Sequence, residues 1–177
     1  MVACCNVTIV STHMDKSKNG FTLIELIVVI FIITLFAGMS LANYGRFNEE
    51  KKLDEEVKKL SATLYLARSK ASAADADPAI CSDFKGYRVS IDSSSSSYIL
   101  ERECANSFTT IETQNLPTST TIKAVPTSVF FKSLNAGTDL TSQAKITVKN
   151  SVLLKCADVT VQPSGVINEE AKYTVGC

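Results

Sequence analysis

Lys16-Ser17-Lys18-Asn19-Gly20-Phe21-Thr22-Leu23-Ile24-Glu25-Leu26 leads into the longest apolar run of the chain, which continues to Leu41. From Phe21 the run is 21 residues, rich in Ile, Leu, Val and Phe. As a helix it would cover about 30 Å, enough for a bilayer core. Glu25 stands at its fifth position. An acidic residue inside a membrane helix costs about 2.5–3.5 kcal/mol and usually has a function. The expectation is that Glu25 meets a cation supplied by another molecule.

Three readings compete for this segment. A secretory signal peptide has a charged start and an apolar core of about 7–15 residues. Ser40-Leu41-Ala42 would serve loosely as its cleavage site, but this run is longer and contains a glutamate. A plain anchor accounts for length but not for Glu25. Lys16 and Lys18 before the run, with no acid between Leu26 and Leu41, put the N-terminus in the cytoplasm and the rest outside. The third reading rests on Gly20-Phe21-Thr22-Leu23-Ile24-Glu25, which resembles the class III signal of type IV pilin-like proteins. The resemblance implies cleavage after Gly20 by a prepilin peptidase, which then methylates the new amine of Phe21. It also implies that Glu25 pairs with the N-terminal amine of a neighbouring subunit, which supplies the missing cation.

The resemblance leaves a mature chain of 157 residues, Phe21–Cys177, with 16 basic and 17 acidic side chains once Lys16, Lys18 and Asp15 are removed. That is one domain on a stalk. A side-chain charge of −1 argues against broad electrostatic capture of nucleic acid. Met14-Asp15-Lys16-Ser17-Lys18-Asn19-Gly20 alone has the length of a usual leader, so translation is expected to start at Met14. Cys4 and Cys5 are then discounted. Four cysteines remain outside the membrane, an even number with three possible connectivities. Sequential pairing, Cys81–Cys104 and Cys156–Cys177, is favoured. Each bond closes a short loop, worth about 3 kcal/mol in the chain-entropy model. A metal site has little support, with no Cys-x-x-Cys and no histidine in the mature chain.

No proline falls between Phe21 and Asp77, so one helix is expected to run to about Ala74. Its weak points are Gly38 and Gly45. Beyond the apolar run, Leu53, Val57, Leu60, Leu64, Ala67 and Ala71 recur at 4-3-4-3-4 spacing, one apolar stripe that should pack on a sheet. The mixed charges of Glu49 through Lys59 read as a solvated face. Asp54–Lys58 and Glu55–Lys59 are the expected i, i+4 pairs, and ion pairs between subunits are the alternative use. After Pro78 the pattern turns to β. Tyr87–Ile91 and Tyr98–Glu101 flank a serine-rich hairpin tip. Phe108–Glu112, Thr120–Val125, Ser128–Lys132, Ala144–Lys149, Ser151–Lys155 and Asp158–Gln162 are further strands, with turns at Asn150 and Pro163-Ser164-Gly165. The expected fold is α+β and pilin-like: a long N-terminal helix, half membrane and half amphipathic, packed on antiparallel sheets. Its expected parts are a leader 1–20, an assembly helix 21–42, an amphipathic helix 43–77 and a β domain 78–177.

Three later segments resemble the GspH/FimT group of minor pseudopilins and minor pilins. They are Leu64-Tyr65-Leu66-Ala67-Arg68-Ser69-Lys70-Ala71, Val129-Phe130-Phe131 with Gly137, and Val159-Thr160-Val161-Gln162-Pro163-Ser164-Gly165-Val166-Ile167. The resemblance implies a filament subunit, first held in the inner membrane by a single pass and later part of an extracytoplasmic filament. The implied partners are the peptidase and methyltransferase, other subunits and an inner-membrane assembly platform. A major pilin is the lesser alternative. No cofactor and no enzymatic activity are expected, because His13, the only histidine, leaves with the leader and no Gly-rich phosphate loop follows a strand. DNA capture is the rival from another class. It would need a basic tip or tail, whereas the tail Asn168–Cys177 is not basic and Lys123, Lys132, Lys145, Lys149 and Lys155 are spread along strands.

Overall fold

The computed structural model describes the backbone of residues 20–105 and 107–175, and their side chains apart from 38–43, 135 and 171–175. Lys16, Lys18, the expected start at Met14, and Cys177 lie outside the described residues. One helix, α1 (Leu23–Ser72), precedes eight strands among the described residues. These are β1 (Phe84–Asp92), β2 (Ser97–Cys104), β3 (Ser107–Asn115), β4 (Thr120–Val125), β5 (Ser128–Lys132), β6 (Ala144–Asn150), β7 (Lys155–Val161) and β8 (Ile167–Val175). The chain divides into two compact units between Leu41 and Ala42, and α1 contributes to both.

In the first unit every described side chain from Phe21 to Ala37 is exposed. Among the described residues no helix is long and apolar enough to cross a membrane. The apolar stretch with described side chains, Leu23–Ala37, amounts to about 22 Å of helix.

In the second unit the helix lies on two antiparallel sheets, ordered β3-β2-β1-β5 and β4-β6-β7-β8. All six residues of the expected stripe, Leu53 through Ala71, are buried. They meet the inward residues of the strands, whose period of two is clearest on β4, where Thr120, Ile122 and Ala124 point in. Tyr87, Val89, Leu100, Val129, Phe131, Ile146, Val148 and Val159 complete the same core. Gly86 lets β1 and β5 approach. A Cβ there would lie 2.1 Å from the Phe131 carbonyl oxygen, so no side chain fits.

The helix ends at Ser72, two residues before the expected point, in a Schellman motif. Asp75 N–H donates to the Lys70 carbonyl at 2.9 Å and Ala74 N–H to the Ala71 carbonyl at 3.1 Å. Ala74 takes the left-handed position, at φ +48°. Cys81 and Cys104 are disulfide-bonded, with Cα atoms 5.3 Å apart. Cys156 is buried on β7, and its expected partner Cys177 lies outside the described residues.

Several expectations need correction. Ser151–Lys155 is not a strand: residues 151–154 form a turn and Lys155 begins β7. Asn150 Oδ1 accepts hydrogen bonds from Val152 and Leu153 N–H, removing donors that a ladder would need. The segment from Ile167 onward is a strand, β8, paired to β7 in spite of its polar composition. Its acids suit an edge position, where charge discourages pairing with a foreign strand. Lys59 bonds Glu56 at 2.8 Å, not Glu55. Glu56 sits beside the stripe and is largely buried, so it gains more from a counter-ion than the solvated Glu55 does. Asp54–Lys58 forms as expected, at 2.8 Å. Two more charges of the supposed solvated face reach the sheets: Glu49 accepts from Asn150 Nδ2 at 2.9 Å, and Glu50 pairs with Lys155.

Candidate processing and assembly site

Gly20 and Phe21 are exposed and lie just ahead of the helix, so the bond between them is not enclosed by secondary structure. Thr22 is the residue before the first helical one. Its Oγ1 accepts a hydrogen bond from Glu25 N–H at 3.3 Å, and its carbonyl accepts from Leu26 N–H at 3.2 Å. This satisfies one of the amides that every helix leaves open at its N-terminus. Thr22-Leu23-Ile24-Glu25 has the S/T-x-x-E spacing of a capping box, a local signal that the sequence itself carries. Glu25 thus stands in the first turn, where the helix dipole favours a negative charge. Among the described residues it makes no ion pair. The cap satisfies the Glu25 amide and leaves its carboxylate uninvolved.

Around Glu25 the helix is apolar on all sides. Phe21 is 84% exposed and Phe36 69%. A helix of this kind is stable in water only when another apolar body covers it.

The three later segments singled out in the sequence come together in the second unit. Arg68 of α1, Phe131 and Lys132 of β5, Gly137, and the Ser164-Gly165 turn between β7 and β8 border one cavity of about 230 Å³. A Cβ on Gly165 would lie 3.7 Å from Arg68 Nε and 3.9 Å from the Phe131 ring. The two loops are fastened to each other: Thr138 N–H and Oγ1 both donate to the Pro163 carbonyl at 3.0 Å. Gly137 adopts φ +77°, and a Cβ there would meet that same carbonyl oxygen at 3.0 Å. Sequence distance hid this convergence, since the three segments are each read locally.

The lysines considered for DNA are partly committed. Lys145 pairs with Asp158 at 2.8 Å and Lys155 with Glu50. Lys123 and Lys149 border one small pocket on the outer face of β4 and β6, together with Thr121 and Thr147. Thr147 there donates to Asp158 at 2.6 Å, so two lysines and a nearby acid make a small patch and not a basic stripe. Among the described residues no cluster of His, Cys, Asp and Glu is placed to hold a metal.

Residues 15–41 match the family model of the prokaryotic N-terminal methylation motif. Among solved structures, the minor pseudopilin EpsH of the type 2 secretion system of Vibrio cholerae is similar, with a TM-score of 0.51. The two share 11% identity over 67% of this chain and 95% of EpsH, so the likeness is one of fold. No curated protein matches the chain.

Proposed function

We propose, from the premise that the chain is a type IV pilin-like protein with a class III signal, that it is a minor pilin or pseudopilin. It would be a structural subunit of a type IV pilus-like or type II secretion filament. The observation that carries this reading is the combination of the methylation motif with a fold similar to that of a minor pseudopilin.

The steps follow from charge and apolar area. Residues 21–41 hold the precursor in the inner membrane with Lys16 and Lys18 in the cytoplasm, and the peptidase cuts between Gly20 and Phe21. Cleavage frees the Phe21 amine, which becomes methylated and keeps its positive charge. Glu25 of an incoming subunit pairs with the amine of a subunit already in place. In an apolar bundle the low dielectric strengthens that attraction, and losing either partner would strand a buried charge. The pair sets axial register, and the apolar surface of 21–41 supplies most of the cohesion. No catalytic group is assigned, since the work is assembly.

Replacing Glu25 tests the register role. Glu25→Leu keeps the segment apolar and should leave membrane insertion unchanged while incorporation into filaments falls roughly tenfold or more. Wild-type incorporation of that variant would refute the role of the carboxylate. Gly20→Leu should accumulate a precursor heavier by the leader mass, read by mass spectrometry.

A further inference from the structure

We propose that the cavity bordered by Arg68, Lys132, Ser72, Ser164 and Gly165 is a binding site for a carboxylate side chain presented by a protein partner. Two cationic residues, Arg68 and Lys132, and two serines, Ser72 and Ser164, are among those lining a space of about 230 Å³, and no Asp or Glu lines it. Neither Arg68 nor Lys132 forms an ion pair or hydrogen bond through its side chain among the described residues. Most other cations on this part of the molecule are already matched: Lys70 with Asp75, Lys85 with Asp83, and Arg88 with Glu101. The cavity therefore holds unspent positive charge.

Its walls are preorganised. Phe131 is 2% exposed and closes the floor. The Gly137 and Gly165 loops are held by the bonds to Pro163 and by Gly165 N–H donating to the Gln162 carbonyl at 2.8 Å. The cavity lies by the C-terminus of α1, whose free carbonyls would repel an anion. Here the Ser69, Lys70 and Ala71 carbonyls are occupied by the N–H groups of Ala73, Asp75 and Ala74. Repulsion is thereby reduced.

The shape favours a carboxylate on a protein over a nucleic-acid backbone. Arg presents a planar fork that matches two carboxylate oxygens, with Lys as a second point charge. A polynucleotide needs a track of cations spaced along its strand. This cavity has two, and the next lysine on the helix, Lys70, is tied to Asp75. The volume admits the end of one Asp or Glu side chain with a few waters, each water taking about 30 Å³.

The site can be tested by NMR titration of the full-length chain in nonionic detergent. The probes are an acetylated, amidated Gly-Glu-Gly peptide, its Gly-Gln-Gly counterpart and inorganic phosphate. The glutamate peptide should shift the Arg68 Nε–H and the amides of Ser164 and Gly165 saturably, with little effect from the glutamine peptide. Arg68→Gln should weaken this binding roughly tenfold, as expected for loss of one charge-assisted contact. Lys132→Gln, at an exposed position, should weaken it without disturbing the fold. No shift at these three groups, or equal shifts in the Arg68→Gln protein, would overturn the site. Stronger binding of phosphate than of the glutamate peptide would overturn its assignment to carboxylate. The outcome is independent of the Glu25 experiment, so the filament reading and the site can fail separately.

Discussion

Glu49 and Glu25 are both helix carboxylates, but their surroundings differ. Glu49 is satisfied within its own chain. The hydrogen bond from Lys52 and the one from Asn150 hold its carboxyl below the ordinary value, at about 2 in place of 4.5. A depressed folded-state value means that the unfolded chain binds the proton more readily, so acid favours unfolding. Glu49 therefore contributes stability that is complete above about pH 4.5 and is lost as pH falls toward 2. Thermal unfolding of the wild type should show a decline in midpoint across that window, and Glu49→Gln should flatten it. Glu25 follows a capping Thr22 and has no cationic partner among the described residues, which is what the proposed pairing with a neighbouring subunit requires. The apolar context of Glu25 is legible in the sequence. The bond from Asn150 to Glu49 is not, because the two residues are 101 positions apart.

At the scale of elements, the helix stripe was readable because it repeats within single turns. Leu53, Val57, Leu60, Leu64, Ala67 and Ala71 occupy one face whatever they pack against. The strands Thr120–Val125 and Ser128–Lys132 were readable for the same reason, since alternation is local. The β8 strand escaped because its partner, not its composition, makes it a strand. The turn expected at Asn150 is there, but its length escaped because Val152 and Leu154 look like strand residues, yet both are exposed in a loop held by the Asn side chain. The helix terminus offers a direct test. Ala74 occupies a left-handed conformation that costs an L-residue with a Cβ about 1–2 kcal/mol. Ala74→Gly should raise stability by about 1 kcal/mol after its own loss of chain entropy, measured by urea denaturation. A destabilised variant would show that Ala74 is held by contacts the Schellman geometry does not include.

For the molecule as a whole, the second unit is one core shared by a helix face and two sheets, closed at one corner by the Cys81–Cys104 bond. That bond joins the segment after α1 to the end of β2, across a sequence separation of 23. Cys81→Ser together with Cys104→Ser should lower stability by about 3 kcal/mol, seen as an earlier urea midpoint. Faster amide exchange in β3, which pairs with β2 at the end of its sheet, should accompany it. The sequence by itself determined the processing motif, the apolar run with its carboxylate, the helix face and most strand positions. Each of these is written in spacings of a few residues, and local spacing is what backbone geometry reads. Only the tertiary structure decided which strands share a sheet, which helix acids find partners, and that Arg68, Lys132 and the Gly165 turn border one cavity. Those outcomes depend on register between segments tens of residues apart, and no local pattern specifies that register.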